Sequence, residues 1–179
     1  MNMEETRKEI HMNKRTRTVA LCGAMTALAM IFSYVESLIP IPVPVYGVKL
    51  GVANIAIITV MYAIGNKEAL IINCIRITLT AVVFGNFNSF IFSMAGGLLS
   101  FVVMVILKKT KTFSIIGVSV AGGVFHNVGQ IIAAIFIMET GAIIYYLPVL
   151  VAAGIITGII IGIVSAQVAK RVKAAVVQG

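Results

Sequence analysis

Six apolar runs divide this chain, and its cations gather in alternate breaks between them. Arg7, Lys8, Lys14, Arg15 and Arg17 precede the first run, and Lys67 lies between the second and third. Lys108, Lys109 and Lys111 lie between the fourth and fifth, and Lys170, Arg171 and Lys173 follow the last. The other breaks, around 39–47, 85–88 and 139–142, hold no Lys or Arg. That alternation is the positive-inside pattern of a multi-pass membrane protein with both termini in the cytoplasm. It isolates two cations, Lys49 and Arg76, within or at the edge of apolar segments, where a charge is costly and needs a reason.

Composition agrees. Over 179 residues the chain is 60% hydrophobic and 11% charged, with mean hydropathy +1.07. A soluble domain of this size could not hide that much aliphatic surface. The expected organisation is a tail over 1–17, one membrane domain over 18–170 and a second tail over 171–179. The net charge of +8 is split among loops and ends, which suits anionic lipid headgroups rather than nucleic acid. The first run is too long for a cleaved signal and is followed by five more, so it reads as an uncleaved helix. Cys22 and Cys74 fall inside apolar runs without metal-ligand spacing and behave as small hydrophobes.

A spanning helix needs about 20 apolar residues. The pattern predicts helices over about 18–39, 48–64, 68–84, 88–107, 113–138 and 143–169, the second of them short for a full span. Alternate prolines at Pro40, Pro42 and Pro44 rule out helix between Ile39 and Gly47. This apolar loop is expected to cap a cavity or lie in the outer interface, because unpaired backbone cannot face lipid. Pro148 is expected to kink the sixth helix or mark its true start. Small residues recur every four positions at Gly154, Gly158, Gly162 and Ala166 in the sixth helix. Ala20 and Ala24, with Gly23 and Ala27 one position offset, do so in the first. Such stripes let helices approach closely in lipid, either inside one bundle or against a separate subunit.

Four polar clusters fall in the apolar runs: Glu36 with Ser33 and Ser37; Lys49 and Asn54; Asn73, Arg76 and Thr80; and His126, Asn127 and Gln130. Spacings of three and four put Asn73, Arg76 and Thr80 on one helix face. Charged and amide groups at membrane depth mark a ligand or ion path. The candidate substrate-binding set is Glu36, Lys49, Asn54, Asn73, Arg76, His126, Asn127 and Gln130, with Glu36 either pairing Lys49 or contacting solute. Tyr34, Tyr46 and Phe residues are available to stack on a ring. This inventory suits an amphipathic organic ligand better than a metal ion, which would want more carboxylates. An enzyme reading meets an obstacle: the chain has no aspartate, and six scattered glutamates build no Mg²⁺-diphosphate site. Nor is there a Gly-rich phosphate loop, so no ATPase. No cofactor or metal site is expected.

The segments Tyr34–Pro42, Gly47–Asn54, Phe92–Ser100 and Gly117–Ser119, leading to His126-Asn127-Val128-Gly129-Gln130, resemble a bacterial membrane family. It is known both as "Gx transporter" and as "heptaprenyl diphosphate synthase component I". The resemblance runs from about residue 18 to 170. The first name implies similarity to the substrate-binding S components of energy-coupling factor (ECF) transporters: six-helix proteins of the bacterial cell membrane that bind vitamins and dock onto a coupling subunit driven by two ATPases. On that resemblance Ala20 and Ala24 match the docking pattern, and a flavin, a vitamin or a quinone or isoprenoid precursor is the implied solute. It also implies gene neighbourhoods of flavin export, quinone synthesis or electron transfer. The second name implies a non-catalytic partner of a prenyl synthase in menaquinone tail synthesis. The expected fold is thus an all-α, six-transmembrane-helix, S-component-like bundle.

Overall fold

A computed structural model describes residues 3–38, 49 and 51–177, with side chains described between 15 and 174. Among the described residues the chain is all-helical. It comprises α1 (Met3–Ser37), α2 (Asn54–Ala63), α3 (Asn66–Phe84), α4 (Phe87–Thr110), α5 (Ile115–Met138) and α6 (Leu147–Val177), with a 3₁₀ turn over Gly141–Tyr146. Four stretches are long and apolar enough to cross a membrane: Arg15–Ser37, Phe87–Thr110, Ile115–Met138 and Gly141–Ala174. They fit a multi-pass membrane protein.

Helix limits follow local chemistry. The basic segment before Thr18 lacks Gly and Pro, so helix runs unbroken from Met3 instead of starting where the apolar run starts. Asn86 caps α4 by accepting from the Ser89 N–H at 2.8 Å, and Ser114 caps α5 by accepting from Gly117. Pro148 falls at the second residue of α6, where its missing N–H removes no intrahelical bond, so it marks the start of the helix.

The second helix is the main departure from expectation. Helix was predicted from about Val48, but α2 starts at Asn54 and has 10 residues, about 15 Å of rise and half a bilayer core. The described residues before it, Lys49 and Gly51–Ala53, are not helical, and Gly51 has φ +88°, in the left-handed region. The reason lies in other helices, which bind this backbone through their side chains. The proline loop, which was expected to form a lid, lies outside the described residues.

α2 is central. It packs on α1, α3, α5 and α6, while α1–α3, α3–α4, α4–α5 and α5–α6 contacts close the bundle around it. Accordingly, nearly all of it is buried, Ala56 through Met61 without a break, as expected of a helix that is apolar all round. One apolar core collects Ile57, Ile58, Val60, Met61, Ile72, Phe101, Met104, Val118 and Ile161. A second collects Phe92, Ile131, Ala134, Ile143 and Leu150. On α3 and α5 the candidate polar residues lie beside or between the positions that enter these two cores.

The α6 stripe is an internal contact. A Cβ on Gly158 would sit 2.6 Å from Val120 Cα, and one on Gly162 would sit 2.7 Å from Ile116 Cα. Gly123 and Gly154 meet backbone to backbone. The α1 stripe differs: Ala20, Gly23, Ala24 and Ala27 are exposed, and nothing lies within 4 Å of a Cβ on Gly23.

Candidate functional site

All eight candidate residues are buried, none more than 9% exposed. Seven are drawn to one region by a ring of contacts that runs through α1, the strap formed by Lys49 and Gly51 to Ala53, α5, α4 and α3. The eighth, Asn127, turns away.

Starting on α1, Glu36 Oε1 accepts the backbone N–H groups of Gly51 and, at 3.3 Å, Val52. Successive amides around a left-handed glycine form an anion-binding concavity, and here a carboxylate of the same chain fills it. Glu36 therefore holds the strap that carries Lys49 and forms no ion pair with Lys49 among the described residues. The other oxygen, Oε2, is buried without a hydrogen-bond partner.

The strap is held a second time by α5. Gln130 Oε1 accepts from Lys49 N at 2.8 Å, and Gln130 Nε2 donates to Lys49 O at 3.0 Å. Between the two clamps the chain passes against His126. A Cβ added to Gly51 would lie 3.3 Å from His126 Cδ2 and 3.2 Å from Asn54 Nδ2. Irregular backbone inside a membrane bundle requires such internal partners.

His126 leads on to α4, its Nδ1 facing Gly96 without a partner of hydrogen-bond geometry. One residue along, the Gly97 carbonyl accepts from Asn73 Nδ2 at 3.2 Å. Asn73 in turn orients Arg76: its Oδ1 accepts from Nε at 3.2 Å and from Nη2 at 2.9 Å. Arg76 Nη1 donates to Ser33 Oγ at 3.3 Å, which closes the ring on α1 one turn before Glu36. Arg76 and Lys49 each stand close enough to Glu36 and to His126 to act on them through their charges. No three His, Cys, Asp or Glu among the described residues are grouped to hold a metal ion.

Two expectations need correction. Asn127 follows His126 in sequence, but a helix turns about 100° per residue. It therefore faces α6, where Nδ2 donates to Leu150 O at 2.6 Å beside Gly154, while Oδ1 is buried without a partner. Tyr34 is 42% exposed and packs on Phe84, with ring centroids 4.7 Å apart, so it stands on the outer face of the bundle, away from the ring of contacts. Tyr46 lies outside the described residues. Sequence reasoning missed Gly51, Gly96 and Gly97, which let backbone approach the polar side chains. The motif segments quoted above contain them without revealing that role.

No curated protein and no solved structure matches this chain. The family model for heptaprenyl diphosphate synthase component I matches residues 25–168, most of the helical bundle and every site residue above. The chain belongs to the heptaprenyl diphosphate synthase component I family.

Proposed function

We propose that this protein is the solute-binding membrane subunit of an ECF-type transporter, built like an S component and powered by partner subunits. The observation that carries this reading is α2, a half-length helix inside a bundle of membrane-length helices. Its non-helical entry is clamped by Glu36 and Gln130 against His126. Interrupted helices with polar groups at the break are how transporters build solute sites within the bilayer. Glu36 serves the strap, but a merely structural bundle does not need two buried basic residues, Arg76 and Lys49, at such a break.

The topology under this proposal has six membrane segments, both termini in the cytoplasm and the site opening outward in a bacterial cell membrane. Lys49, Asn54, Asn73, Arg76, His126 and Gln130 hold solute, Glu36 positions the strap, and Asn127 supports α5 from behind. The exposed small-residue face of α1 at Ala20 and Ala24 is the docking face for a coupling subunit, which supplies the ATPases. The solute is a small organic molecule of the flavin, vitamin or quinone-precursor kind.

The family description favours a second reading, a non-catalytic membrane component beside a prenyl synthase. A chain without aspartate fits that reading, because diphosphate-Mg²⁺ sites are built on acidic clusters. One experiment separates the two readings. The protein is co-expressed with ECF coupling and ATPase subunits and with a prenyl synthase catalytic subunit, purified in detergent, and analysed by mass spectrometry for bound proteins and small molecules. Recovery of the ATPase module with a small organic solute supports the transporter. Recovery of the synthase with an empty bundle, unchanged by Arg76→Gln with His126→Ala, overturns it.

A further inference from the structure

The cluster contains a complementary pair of unsatisfied groups. Arg76 carries five N–H donors, and its bonds to described residues engage three, through Nε and Nη2 to Asn73 and Nη1 to Ser33. One hydrogen on each terminal nitrogen is left. Glu36 Oε2, one helical turn along α1 from Ser33, has no donor at all. Both residues are at least 97% buried, and each senses the other's charge. Yet no ion pair joins them among the described residues. Asn73 and Ser33 hold the guanidinium, and the Gly51 and Val52 amides hold the carboxylate, so neither is free to swing to the other. Lys49 is a second basic group near the acid, so two basic residues share one acidic neighbour. In a low-dielectric interior both the leftover charge and the unused hydrogen-bonding capacity call for a partner.

We propose that Arg76 and Glu36 are the recognition pair of the solute site and that the solute is a monoanion with a hydrogen-bond donor next to its anionic group. The anionic oxygens take the free edge of Arg76, and the adjacent O–H or N–H donates to Glu36 Oε2. This rests on the solute-binding reading above and adds the chemical class. A hydroxy-carboxylate offers such a pattern, as does the phosphate and glycerol hydroxyl of an anionic lipid headgroup. A neutral ring system lacks the anion, and a plain carboxylate lacks the donor.

The test uses the full chain in phosphatidylcholine nanodiscs, with binding followed by microscale thermophoresis and thermal shift. The probes are 3-hydroxy-2-naphthoate, 2-naphthoate and 2-naphthol, which share one ring system. The hydroxynaphthoate is expected to bind about tenfold or more tighter than either of the others, the gain of one charge-assisted hydrogen bond. Arg76→Gln should lose the preference for both acids over naphthol. Glu36→Gln should lose the preference for hydroxynaphthoate over naphthoate while keeping that for acid over naphthol. Where Arg76→Gln fails to fold, Arg76→Lys is read instead, since it keeps the charge and loses the two-pronged donor geometry. Competition by phosphatidylglycerol discs would assign the same recognition to a lipid headgroup. Equal binding of all three probes leaves the solute site standing and overturns the recognition pair. Failure of all three, in both kinds of disc, overturns the solute site itself.

Discussion

The side-chain amide of Gln130 satisfies both backbone polar groups of Lys49, its oxygen accepting from Lys49 N at 2.8 Å and its nitrogen donating to Lys49 O at 3.0 Å. A side chain on α5 thus does for the strap what a helical turn would otherwise do. Gln130→Leu, similar in size, strands a buried donor and acceptor and should lower stability by about 2–5 kcal/mol. Gln130→Glu keeps one bond and sets a carboxylate oxygen against the Lys49 carbonyl, so it should also destabilise. Thermal unfolding in detergent measures both, and an unchanged midpoint for Gln130→Leu would contradict the clamp.

Gly51 is the turning point of the strap. With φ +88°, a Cβ is strained, costing about 1–2 kcal/mol, and it would also press on Asn54 and His126. Gly51→Ala should therefore destabilise. Gly141→Ala, with nothing within 4 Å of the added carbon, should stay within about 0.5 kcal/mol of the parent.

The two small-residue stripes should respond oppositely to enlargement. Gly158→Leu drives a side chain into Val120 backbone and should cost about 1–3 kcal/mol through overpacking. Gly23→Leu meets open space and should leave unfolding unchanged. If the α1 face docks a coupling subunit, the same substitution should sharply reduce recovery of that subunit in co-purification.

Lys108 ties the end of α4 to the α2–α3 junction. Its Nζ donates to Met61 O and, at 2.7 Å, to Asn66 Oδ1, and stands 5.0 Å from the Tyr62 ring centroid. The cation lies at the C-terminal end of α2, where the helix dipole favours positive charge. Lys108→Met keeps the aliphatic stem and removes the ammonium, so it should lower stability by about 1–3 kcal/mol. Hydrogen exchange should speed up first at the amides around residues 61–66.

Under the proposed solute site, Asn127 and Arg76 separate packing from recognition. Asn127→Ala removes the bond to Leu150 O and should loosen the α5–α6 pair, lowering the unfolding midpoint with little effect on solute affinity in whatever protein remains folded. Arg76→Gln should show the larger loss in affinity.

Much of this was legible in the chain. The apolar runs located α1 and α3–α6 to within a few residues at most of their ends, because helix periodicity, capping residues and proline act locally. All eight candidate positions proved buried, because a polar residue in an apolar run has few places to go other than the interior of a bundle. Two things were not legible. The non-helical backbone at Lys49 and Gly51 is held by Gln130, 81 residues from Lys49, and by Glu36, 15 residues before Gly51. The separation of Asn127 from His126 comes from which neighbouring helix each one meets.

The sequence by itself determined an all-helical chain with membrane-length apolar segments, its family, and the short list of polar residues held inside. Hydrophobicity and helix propensity are properties of neighbouring residues, so they can be read in order. Only the tertiary structure decided that a carboxylate of α1 fills the amide concavity before α2, that Asn73 aims Arg76, and that the α6 glycines face α5. Those relations are set by helices meeting across the bundle, where a hydrogen bond or a missing Cβ matters only once its partner has arrived.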